Sequence, residues 1–153
     1  MSKYKEGDVF LIPLVDDSFG IGQVLKITKE ALNSVVIALY DVRIFNDNEY
    51  SNKVIKSENI ISVQFSTTDL LRKKRWHVID WHKEIDIVNF IDIDDIEAKQ
   101  YIGVNIIGSG NITKFLSAYF GLYAWNFWYE ADYCDKMLLD TVNKPSNLIF
   151  EEK

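Results

Sequence analysis

Five stretches in the first half of the chain alternate apolar and polar residues, or run apolar, at strand length. Residues 8–14 (Asp-Val-Phe-Leu-Ile-Pro-Leu), 19–27, 34–45, 60–65 and 76–81 are rich in β-branched and aromatic side chains, the composition of half-buried or buried strands. Asp16-Asp17-Ser18 and Asn46-Asp47-Asn48 separate them as turn-forming clusters. Pro13 cannot donate to a ladder, so the first strand is expected at an edge or to end in a bulge. Gly20 and Gly22 fall on one face of the second strand, which predicts close approach of another element or sharp bending there. Residues 68–73 are long enough for one helical turn.

From residue 84 the character changes. Glu84, Asp86, Asp92, Asp94, Asp95 and Glu97 interleave with isoleucines at a period nearer two than 3.6, which predicts exposed extended structure. Its isoleucines 91, 93 and 96 would anchor one face while the carboxylates meet water. Residues 101–107 look like a further strand. Gly108-Ser109-Gly110 breaks the pattern, and Asn111 is placed to cap a helix over 112–120, with Gly121 just past its end. Phe115, Leu116 and Tyr119 form that helix's apolar stripe. A second short helix is expected over 132–139, then a polar tail over 143–153. These elements predict one α+β domain over residues 1–153. A strongly curved antiparallel sheet or small β-barrel, from residues 7–82, would pack against one or two C-terminal helices.

The chain has 153 residues and 48% apolar side chains, enough for a core that needs no covalent staple. Its formal net charge is −6, which argues against a general nucleic-acid binder and suits solubility or a partner with a basic face. A single cysteine, Cys134, allows no internal disulfide. The polar start Met1-Ser2-Lys3 and the lack of a long apolar run point to a cytoplasmic protein with no membrane partner.

Candidate chemistry is sparse. His77 and His82 are the only histidines, and a spacing of five makes no chelating pair on a strand or a helix. No metal or other cofactor is expected. Asp92-Ile93-Asp94-Asp95 lacks the glycine and distal glutamate of a calcium loop, and reads as a solvated acidic edge or an electrostatic docking surface. Gly108-Ser109-Gly110 lacks the lysine of a phosphate loop, and Arg72-Lys73-Lys74-Arg75 reads as a solvated basic loop. No Gly-x-Ser-x-Gly elbow occurs, and nothing local activates Cys134. Nine aromatic rings crowd residues 115–133. Most would pack the core, while one or two left exposed would anchor a partner.

Gly7-Asp8-Val9-Phe10 with Ile12-Pro13-Leu14, then Gly20-Ile21-Gly22-Gln23-Val24, resembles the opening hairpin of the immunity protein 26 family, antidotes to bacterial polymorphic toxins. Val35 to Asp41 and Lys74 to Ile79 fit the same pattern, so the resemblance spans roughly residues 5–82. Residues 108–136 resemble the C-terminal part of some members, and the acidic middle, 84–100, matches less well. The resemblance implies a non-enzyme that binds the C-terminal domain of a cognate polymorphic or contact-dependent toxin and occludes it without covalent chemistry; a monomer or homodimer is expected. Many such toxins are nucleases with basic clefts. The expected contacts are Asp92, Asp94, Asp95 and Glu97, with Trp125 and Trp128. The alternatives are a small metal-dependent hydrolase of phosphotriesterase type, a label some relatives carry, and a general protein-interaction module.

Overall fold

The computed structural model describes residues 4–83 and 85–152. Met1-Ser2-Lys3, Glu84 of the acidic stretch and Lys153 of the tail lie outside the described residues. Six strands form one mixed sheet: β1 (Asp8–Pro13), β2 (Phe19–Thr28), β3 (Ser34–Ile44), β4 (Ile60–Ser66), β5 (His77–Trp81) and β6 (Ile106–Ile107). Their order is β5-β1-β2-β3-β4-β6, antiparallel throughout except for the parallel β4–β6 pair. Among the described residues four α-helices accompany them: α1 (Asp69–Arg72), α2 (Ile93–Ala98), α3 (Ser109–Tyr119) and α4 (Tyr133–Met137). The α+β class and the five long strands follow the sequence pattern.

The sheet is open, with β5 and β6 at its two edges, and no barrel closes. The physical reason lies in the strands themselves. Residues Ser34 to Tyr40 of β3 are all buried, so both side-chain rows need cover. Val35, Ile37 and Leu39 join Phe10, Ile12 and Val24 of β1 and β2 in one core, beneath α3. Val36, Ala38 and Tyr40 join Val9, Leu11 and Ile21 in a second core, beneath residues 85–106. The result is a sheet covered from both sides rather than wrapped around one interior.

Two glycines of β2 set the approach of the first cover. Gly22 pairs with Phe10 across β1–β2, and a Cβ there would sit 2.6 Å from Phe10 Cζ. The Phe10 ring lies over the glycine and stacks on buried Trp76 at 5.1 Å. A Cβ at Gly20 would strike Leu116 of α3. Close approach, rather than a positive φ, is therefore what the glycines permit. In the second core, Tyr40 Oη donates to Gln23 Oε1 (2.8 Å), and Gln23 Nε2 donates to the His82 carbonyl (2.8 Å). Gln23 and Tyr40 are fully buried, and burial pushes the Tyr40 phenol well above its ordinary range.

Several local expectations are corrected. Residues 85–97 are not extended: a 3₁₀ turn at Ile87–Asn89 leads into α2. Asp92 caps α2 by accepting from the Asp95 N–H at 3.1 Å, and Ile93 and Ile96 fall on its inner side at helical spacing. Of residues 101–107 only Ile106–Ile107 is a strand. Gln100, Tyr101 and Gly103 all take positive φ and turn the chain first. α3 begins at Ser109 rather than after Asn111, because Thr67 Oγ1 accepts from the Ser109 N–H at 2.9 Å. It ends as expected. Gly121 has φ 77°, and the N–H groups of Gly121 and Leu122 donate to Ala118 and Ser117, a Schellman ending. The tail is docked, with Trp125 N–H donating to the Ile149 carbonyl at 2.7 Å and Leu148 packed on the first core.

Candidate functional site

The acidic segment is a lid with an apolar underside. Ile85, Ile87, Phe90, Ile91 and Ile96 pack part-buried on the second core, and Ile93 is buried outright. The four carboxylates expected to meet a partner all face water, but they are not equivalent. Asp92 is occupied as the cap of α2. Asp95 pairs with Lys99 at 2.9 Å, and Glu97 with Lys26 at 3.1 Å. The bond to Glu97 raises the Lys26 ammonium above its usual range. Asp94 alone of the four forms no ion pair or side-chain hydrogen bond among the described residues.

The aromatic segment divides between core and surface. Trp125 is buried: its ring tilts against Phe115 at 5.8 Å, and its Nε1 donates to Asp135 Oδ1 at 3.0 Å. It therefore packs the core and offers no ring to a partner, because the docked tail and α4 cover it. Trp128 is half-buried, stacked on Tyr133 at 5.1 Å and tilted against Tyr129 at 5.3 Å. Tyr129 is 81% exposed. These rings border a cleft of about 430 Å³, whose other walls include Gln64, Asn105, Asn111 and Lys136. No sequence signal announces it, since its amide side chains come from three separate segments.

The remaining candidates stay apart. His77 opens β5 and is exposed, while His82 follows the other end of that strand. Among the described residues no three histidine, cysteine or acidic side chains are arranged to hold a metal ion. Cys134 is fully buried, and burial pushes its thiol up to about 12, far from a reactive thiolate at neutral pH. Ser109 is also buried, and its hydroxyl donates to Asp69 Oδ1 at 2.6 Å. That bond ties α3 to α1. Arg72 ends α1 and Lys73, Lys74 and Arg75 follow on the turn to β5, and all four are exposed. No helix among the described residues is long and apolar enough to cross a membrane.

A family model described as immunity protein 26 matches residues 5–102, more than half of the chain. The chain belongs to the immunity protein 26 family. No curated protein and no solved structure matches it. The immunity protein 26 match takes in β1 to β5 and α2, so it extends across the acidic segment, where the resemblance in sequence is weaker. β6, α3, α4 and every wall of the Trp128 cleft named above except Gln64 lie beyond the matched residues.

Proposed function

We propose that this immunity protein neutralises the C-terminal domain of a cognate polymorphic or contact-dependent toxin by binding it and covering its working surface, with no turnover of its own. Residues 1–153 act together as one immunity domain. Family membership is the observation that carries this reading. The contacts proposed are the carboxylates of α2, Asp92, Asp94, Asp95 and Glu97, together with Trp128 and its neighbour Tyr129 at the cleft. A nuclease with a basic cleft is the toxin class that the carboxylates would suit, since complementary charge speeds encounter.

The test is co-production with the toxin domain encoded beside this chain. Growth should be restored, and the two purified proteins should form a stable, stoichiometric complex. A toxin that kills regardless and does not bind overturns the reading. So would bound zinc together with phosphotriester hydrolysis abolished by His77→Ala or His82→Ala.

A further inference from the structure

The acidic composition conceals a basic patch that the fold leaves uncompensated. Elsewhere on the surface, Lys26, Arg43, Lys99 and Lys136 each pair with a carboxylate, and the other exposed lysines outside any ion pair among the described residues, Lys29, Lys53, Lys83 and Lys114, are scattered singly along the chain. Arg72, Lys73, Lys74 and Arg75 are all exposed, and among the described residues none forms an ion pair. Arg72 Nε donates only to the Thr68 hydroxyl, at 3.1 Å. The nearest acid on their own helix, Asp69, accepts instead from Ser109 and Thr67. Those hydrogen bonds hold its carboxyl below the usual range, and Lys73 adds only the smallest contribution.

The turn that carries these charges is built stiffly. The N–H groups of Lys73, Lys74 and Arg75 donate to Asp69, Leu71 and Leu70. Leu71 and Trp76 on either side are buried in the core beneath α3. Lys74 has φ 59°, a left-handed conformation in which glycine would fit without strain. A rigid display of charge loses little freedom on binding.

We propose that the Arg72–Arg75 turn is a docking surface for a carboxylate-rich patch on the toxin domain. This rests on the toxin-binding reading above. A nucleic acid fits less well. The chain's net charge of −6 repels it at range, and the adjacent Trp76 is stacked inside on Phe10, unavailable to a base. The turn belongs to the core beneath α3, whereas α2 belongs to the other, so the two surfaces can be altered separately.

The experiment replaces all four residues by glutamine and follows association with the purified toxin domain at low and high salt. The variant is four charges more negative, so the sign of the change is diagnostic. A toxin met only through basic surfaces would capture it faster. A toxin carboxylate patch against the turn should slow association by about tenfold at low salt, with the gap closing at high salt. Unchanged or faster association overturns the proposal. If the quadruple variant melts early, Lys74→Gly, which removes one charge where glycine is at home, should still slow association by about twofold, and no slowing overturns the proposal. Wild type that fails to bind removes the toxin-binding reading and this proposal together. Wild type and variants that bind alike remove this proposal only. A labelled DNA duplex bound by wild type near physiological salt and released by the quadruple variant would assign the turn to nucleic acid instead.

Discussion

Beneath α3, Phe10, Ile12, Val24, Val35, Ile37 and Leu39 meet Ile112, Phe115 and Leu116, with Trp76 and Trp125 filling the space around them. Across the sheet, Val9, Leu11, Ile21, Val36, Ala38 and Tyr40 lie under residues 85–105, of which Ile93 alone is buried. One strand pattern thus supports two covers of different quality. The helical side is closed by large rings and an eleven-residue helix seated against glycine. The acidic side is closed by part-buried isoleucines under a charged top. Stabilisation scales with the apolar area removed from water, so the lid is the weaker attachment and should open before the sheet does. The family match ends at residue 102. It therefore takes in residues 85–102 of the lid and stops before α3. A toxin-binding surface on the lid would sit on the more yielding side of the molecule.

The contrast breaks most readily at its two anchors. Phe115→Ala should cost about 3–5 kcal/mol, because the ring is fully buried and its neighbours cannot collapse into the space. Ile93→Ala should cost about 2 kcal/mol, since the shallow lid can settle into the gap. Urea melts of the two variants measure both, and equal losses would mean that the covers are equally firm.

Gly22→Ala sharpens the account of the helical side. The added methyl must displace the Phe10 ring, which is itself held by Trp76. A loss of about 1–3 kcal/mol is expected. An unchanged melting temperature would show that the ring moves freely and that the packing there is looser than described. The smallest effect belongs to the lid. Asp92→Ala removes the α2 cap and should cost about 1 kcal/mol, while Asp94→Asn, at a site outside any ion pair, should cost nothing measurable. Hydrogen exchange before and after Asp92→Ala should show faster opening over 93–98 with the sheet amides unaffected. Uniform acceleration would mean that lid and sheet open as one unit.

Much of this was readable along the chain. β-branched runs located β1 to β5, Phe115, Leu116 and Tyr119 marked the buried side of α3, and Gly121 marked its end. The failures share a cause. Asn111 looked like the cap of α3, but Thr67, far away in sequence, supplies the oxygen. The lid's isoleucines fit a period of two as well as a period of three or four over so short a run, and Asp92 looked like one acid among many rather than a cap. Trp125 and Trp128 were indistinguishable as aromatic residues, yet one is enclosed by α4 and the tail while the other borders a cleft.

Local pattern therefore determined the strands, their two-faced alternation, the crowding of aromatic rings and the overall negative charge. Each depends only on residue type and on the backbone period. Tertiary structure alone decided that the sheet stays open, which segment covers which face, and which charges are spent. Lys26 pairs with Glu97, and Lys99 with Asp95, while Arg72, Lys73, Lys74 and Arg75 form no ion pair among the described residues. Charge counts along a chain carry no distances, and the strength of an ionic contact depends on distance and solvent exposure.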